Sequence, residues 1–427
     1  MMFSRSMRSF SFRASLLSPS LGSVVTACLL TACGDGGAAK SSPTPVANVA
    51  AGDVAAGDVA GVVAGDVAGD VSAADVERMA AEIVEAGGKV ERSKGGSSQG
   101  TPAAAGLVGI TLSKTMATDA DVAGWIARSP LLETLDLSGC GAAGPQTWAA
   151  VARSARLRRL RLNDTTLDDA SLALMSGLKQ LEQCELQRCP QLTVAGVEKL
   201  GTWPRLRDVK LGGAGMGNDV VAALARCSGL RVVGLDDTAV TDVAALAPLK
   251  DLQRLSLVRA AVTDEGLESL GKLPELRHLR LRGTKITDRG LAAVARCQRL
   301  ATLDLSETVV GDDGVAQLAT LAELEDVNFW KTRIGDAGLA HALGWKRLRR
   351  LNLDDDVALT DAGLVPLAQL ADLEFLHLGN TQLTDDGLRA FSRVKGLREL
   401  IVTECPKVTA AGIRELRAAL PEATIRE

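Results

Sequence analysis

The sequence predicts an α/β solenoid: a curved stack of short units with a parallel β-sheet on its concave side and short helices on its convex side. Three observations predict it. The pattern Leu-x-x-Leu-x-Leu recurs thirteen times, beginning at residues 107, 132, 157, 181, 206, 230, 252, 276, 300, 324, 348, 373 and 397, at intervals of 22–25 residues. Several copies, at Gly266, Gly290, Gly338, Gly363 and Gly387, lead into Gly-Leu followed by further apolar residues at helical period. Hydrophobic residues are 46% of the chain but aromatics only 3%, with six Phe, five Trp and no Tyr, so the core is aliphatic. A length of 427 residues alone would suit about three ordinary domains. Units that cannot bury their own apolar side must instead stack on one another, and a single elongated domain follows.

The elements follow in chain order. Residues 1–32 carry Arg5, Arg8 and Arg13 ahead of a mostly apolar stretch ending at Ala32, the layout of a secretory signal peptide. Ser15, Ser18, Pro19, Ser20, Gly22 and Ser23 dilute that stretch too much for a membrane-spanning helix. Leu30-Thr31-Ala32-Cys33 resembles a bacterial lipobox. The resemblance implies that Cys33 is lipidated and becomes the first residue of an exported, membrane-anchored lipoprotein of the cell envelope, in the periplasm or at the cell surface. Val25-Thr26-Ala27-Cys28 fits the same pattern, so Cys28 stays open as the alternative. Residues 33–72 are low-complexity, with Ala-Gly-Asp-Val at 51–54, 56–59, 64–67 and 68–71. Without bulky side chains such a segment does not offset its ordering entropy, and it reads as a flexible tether. Residues 73–106 read as an N-terminal cap: an amphipathic helix carrying Val76, Met79, Ile83 and Val84, a strand Lys89–Arg92, and a loop from Gly95 to Gly106. Residues 107–427 hold the repeats, closed by an amphipathic stretch from Arg414 to Leu420 and by Ala423-Thr424-Ile425.

Within a repeat, alternation points the second and third Leu inward and the residues between them outward, giving a short parallel strand. Three places after the last Leu comes a turn column: Thr at 115, 165, 238, 284, 308, 332 and 381, Cys at 140, 189 and 405, Ala at 214 and 260, Asp at 356. Thr-Asp or Gly-Asp then precedes Gly-Leu, as in Thr263-Asp264-Glu265-Gly266-Leu267, which reads as an N-cap and a short convex helix. Leu276-Arg-His-Leu279-Arg-Leu281 and Leu373-Glu-Phe-Leu376-His-Leu378, each with its Thr, Asp and Gly-Leu positions, are the clearest copies. The pattern resembles the leucine-rich repeat family and is similar to bacterial lipoproteins with Thr- or Cys-containing repeats. Its units resemble the ribonuclease-inhibitor and F-box types; the 22-residue unit around Val240–Leu249 resembles the internalin type, with a tighter, 3₁₀-like convex segment. The family pattern implies a horseshoe whose turn-column side chains satisfy backbone groups.

Motifs for chemistry fare poorly. Three His leave little material for metal sites or imidazole catalysis, and His278 and His377 lie four repeats apart, about 20 Å at the usual strand spacing. Of eight Cys, two fall in the signal segment, and Cys140, Cys184, Cys189, Cys227, Cys297 and Cys405 all occupy repeat positions. Cys140 and Cys189, two repeats apart at about 10 Å, are too distant for a bridge. Gly266-Leu-Glu-Ser-Leu-Gly271-Lys272 has phosphate-loop spacing but continues with Leu273 and belongs to a convex helix. Acid pairs such as Asp168-Asp169 and Asp312-Asp313 fall at helix starts, where caps and the helix dipole account for them. No catalytic residue, cofactor or metal is expected. With 48 basic and 52 acidic residues the formal charge is −4, and cleavage before Cys33 takes it to −7, against nucleic-acid binding.

The outward strand positions supply the candidate partner-binding face: Arg254, His278, Arg280 and Arg282, then Asp304, Asp326, Asn328 and Trp330, then Arg350, Asn352, Phe375 and His377. Aromatics flanked by Arg are the residue types of interface hot spots. Phe329 and Phe391 fall at core positions, and Trp203 and Trp345 match one another before a strand. The expected function is a non-enzymatic, membrane-tethered scaffold, a monomer binding a protein, or a cell-surface polymer, on its concave face. The alternative is the substrate-recognition arm of an F-box-like ubiquitin-ligase effector; it needs an F-box-like segment, which residues 34–72 do not offer.

Overall fold

In a computed structural model the described residues are 72–93, 106–113, 115 and 117–427. The signal segment, Cys28, Cys33 and the tether up to residue 71 lie outside them, as does the loop from Gly95 to residue 105. The described residues lie in the unit Val67–Glu427. Their strands form one open sheet in sequence order. It begins with β1 (Lys89–Arg92), β2 (Leu107–Thr111), β3 (Thr134–Asp136), β4 (Arg159–Arg161) and β5 (Gln183–Gln187). It continues through β6 (Asp208–Gly213), β7 (Val232–Thr238), β8 (Arg254–Ser256), β9 (His278–Arg280) and β10 (Thr302–Asp304). It ends with β11 (Asp326–Asn328), β12 (Arg350–Asn352), β13 (Phe375–His377), β14 (Glu399–Ile401) and β15 (Thr424–Arg426). β1 pairs antiparallel with β2, and every later neighbour is parallel. The fold is a leucine-rich repeat horseshoe with thirteen repeat strands, β2 to β14, between two end strands.

The strand alternation does the packing. Leu279, Leu303, Val327, Leu351, Leu376 and Leu400 stand in register on consecutive strands, all buried. Five of the seven turn-column Thr close their own repeats: the hydroxyls of Thr165, Thr238, Thr284, Thr308 and Thr381 donate to the carbonyl three residues back at 2.6–2.8 Å. Cys189 and Cys405 point their thiols at the same carbonyl of the preceding repeat, at 3.1 Å. One position earlier the chain takes a left-handed residue, as at Asp164, Arg188, Asp237, Arg259, Glu307, Lys331 and Asp355, with φ of 53–64°. Asp356 is the odd member of the turn column. It is 1% exposed; one carboxylate oxygen accepts from the N–H and hydroxyl of Thr332 at 2.9 Å, and the other has no hydrogen-bond partner. Burial pushes its carboxyl up to about 7, against the Thr332 bonds and with help from Asp355 and Asp354.

The convex edge corrects part of the sequence reading. Thr193, Thr287, Thr360, Thr384 and Thr409 do cap their own helices, accepting from the N–H two residues on. The Asp that follows such a position, however, serves the next repeat. Asp169, Asp264, Asp336, Asp361 and Asp385 each accept both the N–H and the hydroxyl of the next repeat's capping Thr. Asp288 and Asp312 accept the N–H of Gly311 and Gly335 in the same way. The acid pairs Asp168-Asp169 and Asp312-Asp313 do fall at helix starts, Asp168 capping its own helix through Ser171, and Asp169 and Asp312 in addition staple the repeat that follows.

The same staple explains the glycine of Gly-Leu. A Cβ on Gly387 would lie 2.1 Å from the Asp361 carboxylate, and one on Gly363 2.4 Å from that of Asp336. The 22-residue unit has the expected 3₁₀ turn at Ala244–Leu246. The next unit is 3₁₀ as well, at Glu265–Leu267 and Leu270–Lys272, so Gly266-Leu267 opens no α-helix. Gly266 packs there against the backbone of the short unit, where a Cβ would lie 1.9 Å from the Thr241 oxygen.

Candidate interaction surface

Parallel pairing places all twelve sequence-selected residues on the six consecutive repeats of β8 to β13. One row across the strands reads Arg254, His278, Thr302, Asp326, Arg350, Phe375, Glu399. The next reads Ser256, Arg280, Asp304, Asn328, Asn352, His377, Ile401. Two residues beyond, Arg282, Trp330 and Asp354 leave the strand ends. Adjacent members of a row stand about 4.8 Å apart, so neighbouring side chains interact.

Neither aromatic ring is bare. The Arg282 guanidinium lies 5.0 Å from the Trp330 ring and donates to Glu307 at 2.7 Å. The Arg350 guanidinium lies 4.2 Å from the Phe375 ring and 3.6 Å from Asp326. Each ring therefore carries a cation that an acid holds in place, a pair of acid–arginine–aromatic stacks. Trp330 and Phe375 are half-buried, as are Asp326 and Asn328. Burial raises the Asp326 carboxyl above its ordinary range; Arg350 opposes this and Asp304 adds to it. Between the stacks, Asn328 and Asn352 accept the N–H two residues on at 3.0 Å, which leaves their amide NH₂ groups for other partners. Asp304 accepts from Ser306 in the same geometry and stands 3.7 Å from Arg280. His278 hydrogen-bonds Thr302 at 3.0 Å, and burial, then Arg254 and Arg277, hold its pKa down. His377 stands 3.6 Å from Asp354; burial lowers its pKa while Asp354 and Glu399 push it back.

Sequence reasoning missed Glu307 and Thr302, which orient Arg282 and His278. Glu307 occupies a left-handed turn position, and its contact is visible only once neighbouring repeats are aligned. Phe329, Phe391, Trp203 and Trp345 are in the core, the two indoles donating to the Met175 and Leu318 carbonyls. The six cysteines Cys140, Cys184, Cys189, Cys227, Cys297 and Cys405 are free and buried. Burial raises the Cys184 thiol strongly, Cys227 to about 11 and Cys297 to about 12. Among the described residues no three His, Cys, Asp or Glu are placed to hold a metal, and no helix is long and apolar enough to cross a membrane. A cleft of about 390 Å³ between Arg188 and Met216 lies at the turns after β5 and β6, away from the twelve residues.

No curated protein matches the sequence. Residues 272–295 and 369–392 match the Leucine Rich repeat family. Among solved structures the chain is similar to an internalin of Listeria monocytogenes, at 19% identity over 75% of this chain and 86% of that one, with a TM-score of 0.56. It also matches a chain of the yeast Rad7–Elc1 complex at 19% identity, 72% and 77% coverage and a TM-score of 0.49. A Leptospira interrogans leucine-rich repeat protein matches at 16% identity, 71% and 92% coverage and a TM-score of 0.40. The two matched segments, the register of the parallel strands and the internalin likeness agree on one fold, the leucine-rich repeat solenoid.

Proposed function

We propose that the protein is a non-enzymatic interaction scaffold that binds another protein on the concave face of repeats seven to twelve. The observation that carries the reading is the pair of arginine-covered rings, Trp330 and Phe375, on a sheet whose outward residues beside them are mostly polar. Solenoids offer extended concave surfaces of this kind, and large aromatics with Arg supply much of the energy of protein interfaces. The lipobox-like Cys33 further supports an exported protein held at a membrane, with residues 33–72 as tether. Partner capture from cell envelopes, with Trp330→Ala and Arg350→Ala beside the parent, tests the first part. Both variants should keep their circular dichroism and lose capture; unchanged capture would reject the concave reading. Incorporation of labelled palmitate, lost in Cys33→Ala and kept in Cys28→Ala, tests the second part, and the reverse pattern would move the anchor to Cys28.

A further inference from the structure

The residue after the first Leu of each repeat forms a column of its own, linked strand to strand by backbone hydrogen bonds from Glu133 to Arg398. In order it reads Glu133, Arg158, Glu182, Arg207, Arg231, Gln253, Arg277, Ala301, Glu325, Arg349, Glu374, Arg398. Both ends alternate in sign, and their inner arginines are paired. Arg158 lies 3.9 Å from Glu133 and 3.3 Å from Glu182, and Arg349 lies 3.8 Å from Glu374. The middle does not alternate. Arg207 and Arg231 are exposed and make no side-chain hydrogen bond or ion pair among the described residues. Arg254, exposed in the adjoining row of the next strand, is likewise without one. Among the described residues no acid makes a hydrogen bond or an ion pair with them. Glu182 is engaged by Arg158, Asp236 accepts from Ser256 and the Val258 N–H, and the column neighbour on the far side is the neutral Gln253. The half-buried Asp208 stands in the row of Arg254, two strands away, and feels its charge after that of Lys210, but it makes no ion pair with any of the three. The positive field of this stretch is felt at His278, which Arg254 and Arg277 disfavour in its charged form.

We infer that Arg207, Arg231 and Arg254 form a docking patch for a carboxylate-rich segment of a protein partner. The inference rests on the concave-face reading above and names the chemistry of that partner. Three arginines on consecutive strands, the strands spaced about 4.8 Å, can each take a single carboxylate in one planar fork. Asp208 favours monoanionic groups over dense phosphate, because a dianion would meet its charge. The patch adjoins the aromatic stacks, so an acidic stretch would fix the register of a segment whose apolar residues reach Trp330. Complementary charge of this kind mainly sets association rate and specificity.

The test uses the full chain and a fluorescein-labelled peptide of six glutamates, followed by fluorescence anisotropy at low and at physiological salt. The parent should bind saturably and more weakly as salt rises. The triple variant Arg207→Ala/Arg231→Ala/Arg254→Ala should lose about tenfold in affinity. The double variant Arg158→Ala/Arg349→Ala, in the paired part of the same column, should change it less than about twofold. Equal loss in both variants, or no saturable binding by the parent, would overturn the patch. Tighter binding of inorganic polyphosphate that the triple variant abolishes would also overturn it and assign the patch to a phosphate polymer. Trp330→Ala should leave the hexaglutamate affinity unchanged, so a failure of the aromatic reading and a failure of the arginine patch are separable.

Discussion

The convex edge and the concave face contain the same residue types, Asp, Arg and Thr, yet treat them differently. On the convex edge the residues repeat with the fold, and a recurring carboxylate is consumed by the next unit, as Asp361 is by Thr384. On the concave face the outward positions are free to vary, and their charges answer one another unevenly. In the N-terminal half Asp136, Arg161, Glu185 and Lys210 run across the sheet as a closed line of ion pairs at 3.7, 3.4 and 2.9 Å. Further along come unpaired arginines and covered rings. The difference teaches where to look in a repeat protein: a polar residue that recurs in every unit holds the stack, and one that departs from its column is available to a partner.

The most severe way to break the convex edge is to fill the space its carboxylates need. Gly387→Ala would place a Cβ 2.1 Å from the Asp361 oxygen, and overpacking with loss of the staple should cost about 3 kcal/mol in urea unfolding. Asp361→Ala alone should cost about 2 kcal/mol by orphaning the Thr384 N–H. Combined, the two should cost clearly less than their sum, because removing the carboxylate removes the tightest part of the glycine's clash and leaves only the flexible Leu383 side chain at 2.7 Å. Strict additivity would show that glycine and staple are unrelated.

Asp356 sharpens the comparison through pH, because its sign is opposite to that of the staples. Its folded pKa is raised to about 7 by burial, so its contribution is fully present below the unfolded value near 3.9 and is lost as pH rises through 7. Asp356→Asn keeps the acceptor for Thr332 and replaces the orphaned oxygen with an uncharged amide. It should stabilise the protein by on the order of 3 kcal/mol at pH 8 and by almost nothing at pH 4. Asp385 runs the other way: the Thr409 hydroxyl, then the Thr409 N–H, hold its carboxyl below the usual range. Its contribution is present above the unfolded value and is lost as acid titrates the folded group. Equal stabilisation by Asp356→Asn at both pH values would deny Asp356 its titration.

How much of this was legible follows from where each interaction's partner lies in the sequence. The buried ladder through Leu279, Leu303 and Leu351 was readable because each rung is set by alternation within six residues and then repeated. The capping role of Thr384 was readable for the same reason. The role of Asp361 was not, because its partner is the identical motif 23 residues on, and an acid at a helix start already had a sufficient local explanation. Gly387 was likewise unreadable until the carboxylate beside it was seen. The rows placing Trp330 and Phe375 outward could be read from the strand period, but not their covering arginines. Arg282 reaches Trp330 over Ser306, one whole repeat, and Ser306 permits this by being small. Arg207 and Arg231 escaped notice because each is ordinary in its own repeat; only the broken alternation of the column marks them.

On the concave side the expected effects on stability are smaller, since exposure leaves less to lose. Trp330→Ala should cost about 1 kcal/mol, half-burial of the ring and loss of the Arg282 contact being its whole contribution. A cost near 4 kcal/mol would make Trp330 part of the core rather than of a surface.

The smallest effect comes from a pair that looks strong. Arg259 grips Asp237 with two bonds at 2.6 and 2.8 Å, better geometry than most concave pairs show. Both residues are left-handed turn residues, with side chains 54% and 42% exposed. Water competes for both charges and salt screens them, so a double-mutant cycle should give a coupling of about 0.5 kcal/mol that vanishes at about 1 M NaCl. Asp361 and Thr384 carry one charge fewer, yet their coupling should be several times larger and insensitive to salt, because an amide has no other acceptor once the repeats have closed over it. A coupling above about 2 kcal/mol for Arg259–Asp237 would place that column among the staples, and the contrast between an edge that holds the stack and faces that remain available would then have to be redrawn.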